Sequence, residues 1–295
     1  MAEIFLGGEA VRAGRVTRHE LRRGYRTVYR GVYAPKNVDL SLRDRAIAAW
    51  LASGRRGVVA GLAASALHGA PWVDPAQPIE VVGVKRQQQE GLVFRTEQVA
   101  DDEITRVAGL PVTTRIRTAF DMGRHLDRPE ALARLDALMW SRPFSVDEVA
   151  TLARRYRRAP GSRQLRELLP LVDGGAASPR ESRIRLWLSD TGFPRPQTQI
   201  PVLVGARPVT FLDMSWPDFQ VAVEDDGDHH RKDRRHYVED AGRLRMLESL
   251  GWIVIRVNAE ERSEEWLERA EAALVGRGCV IEIDELQQFT RTFAA

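Results

Sequence analysis

Apolar positions recur along this chain at two different spacings, and the changes between them mark its elements. Residues 210–215 and 221–226 carry the compact apolar runs of buried strands, with the turn signal Pro217 and Asp218 between them. In the second run, side-chain alternation sends Val221, Val223 and Asp225 one way and Ala222, Glu224 and Asp226 the other. Tyr237, Ala241, Leu244 and Leu247 then fall at helical spacing over residues 234–250, Gly251 stops that helix, and residues 252–257 read as the next strand. Upstream, Leu132, Leu135, Leu138 and Met139 place helices in residues 126–172. Residues 42–53 and 59–67 read as two further helices, the latter ending at His68 and Gly69, and residues 78–84 read as a strand. At the start, Thr17 and Glu20 form a capping box on a short helix closed by Gly24. YRTVYRGVY (residues 25–33) alternates large residues with Arg around Gly31, which predicts a β-ribbon. A short helix followed by a basic ribbon is the second half of a winged helix.

This pattern predicts a mixed α/β multi-domain chain. A winged-helix-like unit spans residues 1–38, and a central α+β region with a helical linker spans 39–172. A mixed sheet flanked by helices spans 173–295, entered through Asp173-Gly174-Gly175-Ala176-Ala177. A length of 295 residues, 43% hydrophobic and 29% charged, suits two or three globular domains. Net charge is only +3, but the basic residues are mostly Arg, which suits forked phosphate contacts; a GC-rich genome gives the same bias. One cysteine, Cys279, rules out an internal disulfide and a thiolate zinc cluster. No apolar stretch approaches the length of a membrane span and none follows a basic start, so a cytoplasmic location is expected, without membrane insertion or secretion.

The candidate chemistry gathers near the 221–226 strand. If it forms a hairpin with residues 210–215, Asp213 sits opposite Glu224 with Asp226 beside it, and like charges so close repel unless a proton or cation intervenes. Hard oxygen ligands select Mg²⁺ or Mn²⁺ over zinc. Such an ion polarises a phosphate and lowers the pKa of a bound water, which Asp226 or His230 would orient or deprotonate. Asp226-Gly227 also reads as a plain turn. Ser178, Pro179 and Glu181 make a complete capping box, so Glu181 reads as a helix cap. Asp240 and Arg243, one turn apart, read as a surface ion pair, and Arg256 suits phosphate contact or pairing with Glu260. Arg231 and Lys232 add cations. At the other end of the chain, Arg22, Arg23, Arg26 and Arg30 make a cationic surface for nucleic acid. Arg154-Arg155-Tyr156-Arg157-Arg158 is either a phosphate-contacting patch or a solvated helix end. His68 reads as structural.

Asp213, Glu224-x-Asp226-Gly227, His230, Asp240-x-x-Arg243, Leu247, Gly251 and Arg256 together resemble the DUF559 group. Those domains are similar to the very-short-patch repair endonuclease within the PD-(D/E)XK nuclease superfamily, and the resemblance covers residues 178–274. It implies a restriction-endonuclease-like sheet, a metal site on Asp213, Glu224 and Asp226, and catalytic roles for Glu181 and His230. Asp226 stands where standard members carry Lys, and Asp225 where they carry an apolar residue. The phrase RGVYAP (residues 30–35), Gly109-Leu110-Pro111-Val112-Thr113, Arg117-Thr118 and Asp121 resemble AbiEi-like antitoxin and regulator proteins. The two resemblances together imply a DNA-binding, Mg²⁺-dependent endonuclease-like protein that hydrolyses phosphodiester bonds in DNA repair or phage defence. The alternative is a non-catalytic DNA-binding regulator or antitoxin on a degenerate nuclease fold, and a third reading is an interaction protein without nucleic acid.

Overall fold

The computed structural model describes residues 3–226, 234–258 and 260–281. The fold is mixed α/β, with three sheets and two compact units, Met1–Val172 and Asp173–Ala295.

The first unit opens with β1 (Phe5–Leu6), α1 (Gly7–Arg12), α2 (Arg18–Gly24), β2 (Tyr25–Tyr29) and β3 (Val32–Pro35). Both halves of the Thr17–Glu20 capping box are made, so the short α2 starts where the sequence placed it. The strands form an antiparallel sheet in the order β1-β3-β2. A strand and a helix thus precede α2, and α1 is only six residues long. Helix α3 (Leu42–Ala52), with its own Ser41–Asp44 capping box, buries Ala46, Ala48 and Ala49 in one cluster with Tyr29 and Val32 of the small sheet. Residues of 1–38 and of the following region therefore share a core.

Strands β4 (Val58–Ala60), β5 (Ile79–Val82), β6 (Leu92–Arg95), β7 (Ile104–Val107) and β8 (Leu110–Thr113) build a five-stranded sheet in the order β6-β5-β4-β8-β7. Between β4 and β5 lies α4 (Gly61–Leu67). The helix expected from residue 59 thus begins at Gly61, because Val58 and Val59 pair in register with Val82 and Val81. Four helices follow: α5 (Arg115–His125), α6 (Arg128–Ser141), α7 (Val146–Arg155) and α8 (Ser162–Leu168). Leu132, Leu135 and Leu138 are buried as their spacing predicted, whereas Met139 is only partly covered.

The second unit runs α9 (Pro179–Asp190), β9 (Gln197–Val204), β10 (Arg207–Trp216), β11 (Val221–Asp226), α10 (Arg234–Ser249), β12 (Ile253–Asn258) and α11 (Ser263–Gly276). Its sheet has the order β12-β11-β10-β9, with β10 antiparallel to both neighbours and β11 parallel to β12. A parallel pair needs a crossover, and α10 supplies it. Alternation sorts the faces. Val221 and Val223 join Ile184 and Leu188 of α9 and Trp266 and Leu274 of α11, while Ala222 joins Leu212 and Leu247 on the α10 side. Gly251, at φ 89°, ends α10 as expected, and the Trp252 amide turns back to the Leu247 carbonyl at 3.0 Å. Among the described residues no helix is long and apolar enough to cross a membrane.

Candidate functional site

In the second unit the β10–β11 ladder pairs Met214 with Val223 and Trp216 with Val221. One residue further on, in place of a ladder partner, the Asp225 amide donates to Asp213 Oδ2 at 3.0 Å. Glu224 is buried on the far side of β11 from Val223 and is held by a forked pair of bonds, Arg243 Nη1 to Oε1 at 2.8 Å and Nη2 to Oε2 at 2.5 Å. Arg243 also lies 3.5 Å from Asp240, Asp240 lies 3.0 Å from Arg256, and Arg256 reaches Asp226 at 2.5 Å. Glu224, Arg243, Asp240, Arg256 and Asp226 thus form a chain of alternating charge. Its two ends lie two residues apart on one strand face.

Several expectations change here. Arg243 and Arg256 are committed to carboxylates, and the partner of Arg256 is Asp226 with Asp240 rather than Glu260. Asp225, at the position where the resembled family carries an apolar residue, is partly buried, and Arg180 Nε lies 3.1 Å from it. Glu181 makes half of its box. Its amide donates to the Ser178 hydroxyl oxygen at 3.0 Å, but its side chain accepts from the Ala177 amide at 2.9 Å rather than from the Ser178 amide. Gln199 Nε2 stands at 3.5 Å from the same carboxylate. His230, Arg231 and Lys232 lie outside the described residues.

Charge is most crowded around Glu181 and Asp213. Burial, and then the field of Asp213, push Glu181 up to about 7. Burial again, with Glu224 and Asp225 adding to it against the Asp225 amide, pushes Asp213 up to about 6. Asp225 is raised as well, first by burial. Arginine supplies the counter-charge on Glu224 and Asp226, so the expected trio Asp213, Glu224 and Asp226 does not fit a divalent cation as it stands. Both Glu224 oxygens and one Asp226 oxygen already face guanidinium groups. Only Glu181 and Asp213 are left without a basic partner within ion-pair reach among the described residues. The sequence offered Arg243 and Arg256 as cations near the site, but not the pairing that ties them to these acids.

The first unit carries two polar features. Arg22, Arg23, Arg26 and Arg30 are all exposed on α2 and the ribbon, and among the described residues none pairs with a carboxylate. Arg26 Nη2 donates to the Val38 carbonyl at 2.8 Å, which fixes its direction. Arg18 and His19, also exposed on α2, extend this surface. The second feature, which sequence reasoning missed, is a buried network under α5. Arg117 bonds to Asp121 at 2.8 Å and to Glu103, Arg124 bonds to Asp121 at 2.9 Å and Glu97 at 2.5 Å, and His125 meets Glu97 at 3.0 Å. Tyr156 donates to Glu103 at 2.7 Å. The His125 bond and the Arg124 charge hold Glu97 down at about 2. Glu97, Asp121 and His125 also bring ligand atoms within 4.8 Å of one another, but the two arginines already satisfy these acids. The sequence signal was Arg117-x-x-x-Asp121-x-x-Arg124, polar residues three and four apart on a helix that has to be covered.

His68 donates from Nε2 to the Thr113 carbonyl at 2.8 Å, and burial holds its pKa down, as a structural histidine should behave.

Residues 42–171 match the AbiEi antitoxin C-terminal domain. Two proteins of Mycobacterium tuberculosis, both described as uncharacterized, MT2308 of strain CDC 1551 and Rv2248 of strain H37Rv, are each 30% identical over 238 residues, which is 79% of this chain and 85% of the relative. This chain therefore belongs to the family of these mycobacterial proteins, with a match to the AbiEi antitoxin C-terminal domain at its centre.

Proposed function

We propose that this protein is a DNA-binding regulator of the antitoxin type. The observation that carries the reading is the AbiEi antitoxin match over residues 42–171 standing directly behind a small helix-and-ribbon element whose arginines face solvent uncompensated. Arg22 and Arg23 lie in the last turn of α2 and Arg26 and Arg30 on the ribbon beside it, so one cationic surface meets a phosphate backbone from two directions. In this reading the second unit is a degenerate nuclease-like scaffold, with arginine in the place of a metal on Glu224 and Asp226. Fluorescence anisotropy with a labelled duplex tests it. Binding weakened steeply by salt, and lost in Arg26→Glu/Arg30→Glu, supports the reading.

The second reading is phosphodiester cleavage dependent on Mg²⁺ or Mn²⁺. Glu181 and Asp213, two crowded carboxylates of raised pKa, favour it; the engagement of Glu224 and Asp226 by arginine weighs against it, and no cleavage step is assigned to them. Nicking assays on duplex, mismatched, flapped and single-stranded DNA with either ion separate the two readings. Cleavage by the wild type that is lost in Asp213→Asn would establish the second.

A further inference from the structure

A cavity of about 640 Å³ opens beside the buried network of the first unit, lined among others by Arg117, Phe120, Arg155, Tyr156, Arg157 and Arg158. This volume lies in the range of small-molecule sites. Its floor is an unusual group. Arg117 is 1% exposed, and its Nε and Nη1 are fixed by Asp121, Glu103 and the Gln98 carbonyl. Nη2 makes no hydrogen bond among the described residues and holds an ion pair with Glu97 at 3.7 Å. A guanidinium nitrogen that makes no hydrogen bond at a cavity wall is a donor for an anionic acceptor.

The rim has the same character. Arg155 is shared with Asp102 at 2.9 Å and Glu103 at 3.2 Å, but Arg157 and Arg158, on the turn after α7, are exposed and meet no carboxylate among the described residues. The single acid on the lining, Glu97, is already neutralised by Arg124 at 2.5 Å. Phe120, Tyr156, Ala159 and Pro160 give the cavity an apolar wall. The Tyr156 ring is held against Phe120 at 5.6 Å between centroids and pinned through its hydroxyl to Glu103.

From these features we infer that the cavity binds a free nucleotide bearing a di- or triphosphate, with phosphate on Arg117 Nη2, Arg157 and Arg158 and the nucleoside against the apolar wall. Arg117 is buried, unlike the exposed arginines of α2, β2 and β3, so this site differs in character from the ribbon surface. It is also independent of the DNA-binding reading.

Titration calorimetry on the full chain tests the inference, with ATP, inorganic pyrophosphate and adenosine as probes. Arg117 is bonded too deeply to be replaced without risk to folding, so the informative variant is Arg157→Glu/Arg158→Glu. ATP and pyrophosphate should bind and adenosine should not. The variant should bind ATP roughly tenfold more weakly or worse, as the loss of two charge-assisted contacts implies. Its melting temperature and duplex affinity should be unchanged, and Arg26→Glu/Arg30→Glu should lose duplex binding while keeping ATP. The inference is overturned if ATP gives no binding, if adenosine binds as tightly as ATP, if the rim variant binds ATP like wild type, or if that variant loses duplex affinity in step with ATP.

Discussion

Glu224 is buried in the second unit, and Arg243 meets both of its oxygens. Removing the arginine alone leaves a buried carboxylate without counter-charge. We expect Arg243→Met to cost about 2 kcal/mol, below the ~3–5 kcal/mol of a fully buried pair because the Arg243 side chain is 29% exposed. Glu224→Gln/Arg243→Met should recover much of that loss, and urea unfolding of the two single variants and the double one measures the coupling. A loss in the double variant equal to the sum of the two single losses would show that the pair is not coupled. The neighbouring acids give a pH signature. In the folded chain Glu181 titrates at about 7 and Asp213 at about 6, above their ordinary 4.5 and 3.8. The folded state thus holds protons that the unfolded chain releases, so their contribution to stability is full below about pH 4 and is lost as pH rises toward 7. Glu181→Gln/Asp213→Asn should flatten this slope in melting temperatures taken across that range, and saturating Mg²⁺ should leave the wild-type slope in place if no cation joins the two. A wild-type slope of the opposite sign would contradict the assignment. At this scale the acids were legible, because Asp213 and Glu224 stand at strand positions where a lone charge needs a reason. Their partners were not: Arg243 comes 19 residues after Glu224 in sequence, and only the crossover through α10 brings it back.

Helix α2 is seven residues long, too short to hold itself together, so its start depends on Thr17 and Glu20. Thr17→Ala should lower stability by about 1 kcal/mol and weaken duplex binding without changing any charge. Anisotropy beside thermal melting checks it, and an unaltered duplex affinity in a destabilised variant would separate α2 from the binding surface. Elements with local signals were read closely: α2 from its box, β11 from its alternation, α10 from Leu247 and Gly251. Two were missed. Strand β9 carries Pro201, which an edge strand tolerates and a central one does not, and the edge position is a property of the sheet rather than of residues 197–204. Helix α5 hides its character because Arg117, Asp121 and Arg124 are buried through one another, so its covered face reads as polar.

At the scale of the molecule, the boundary placed at Asp173 from the run DGGAA coincides with the division between the two compact units. The core that residues 1–38 share with α3 was not legible, since Ala46, Ala48 and Ala49 are too small to announce a partner. If the DNA-binding surface belongs wholly to the first unit, a fragment of residues 1–172 should match the full chain in duplex affinity. The central claim rests on the four exposed arginines of α2 and the ribbon, and the most direct measurement is duplex anisotropy of wild type and Arg26→Glu/Arg30→Glu across a salt series. Affinity should fall steeply with salt in wild type, and the variant should bind more weakly with a slope reduced by roughly one unit per lost phosphate contact. An unchanged affinity and slope in the variant would contradict the account and leave the basic ribbon as a solvated face.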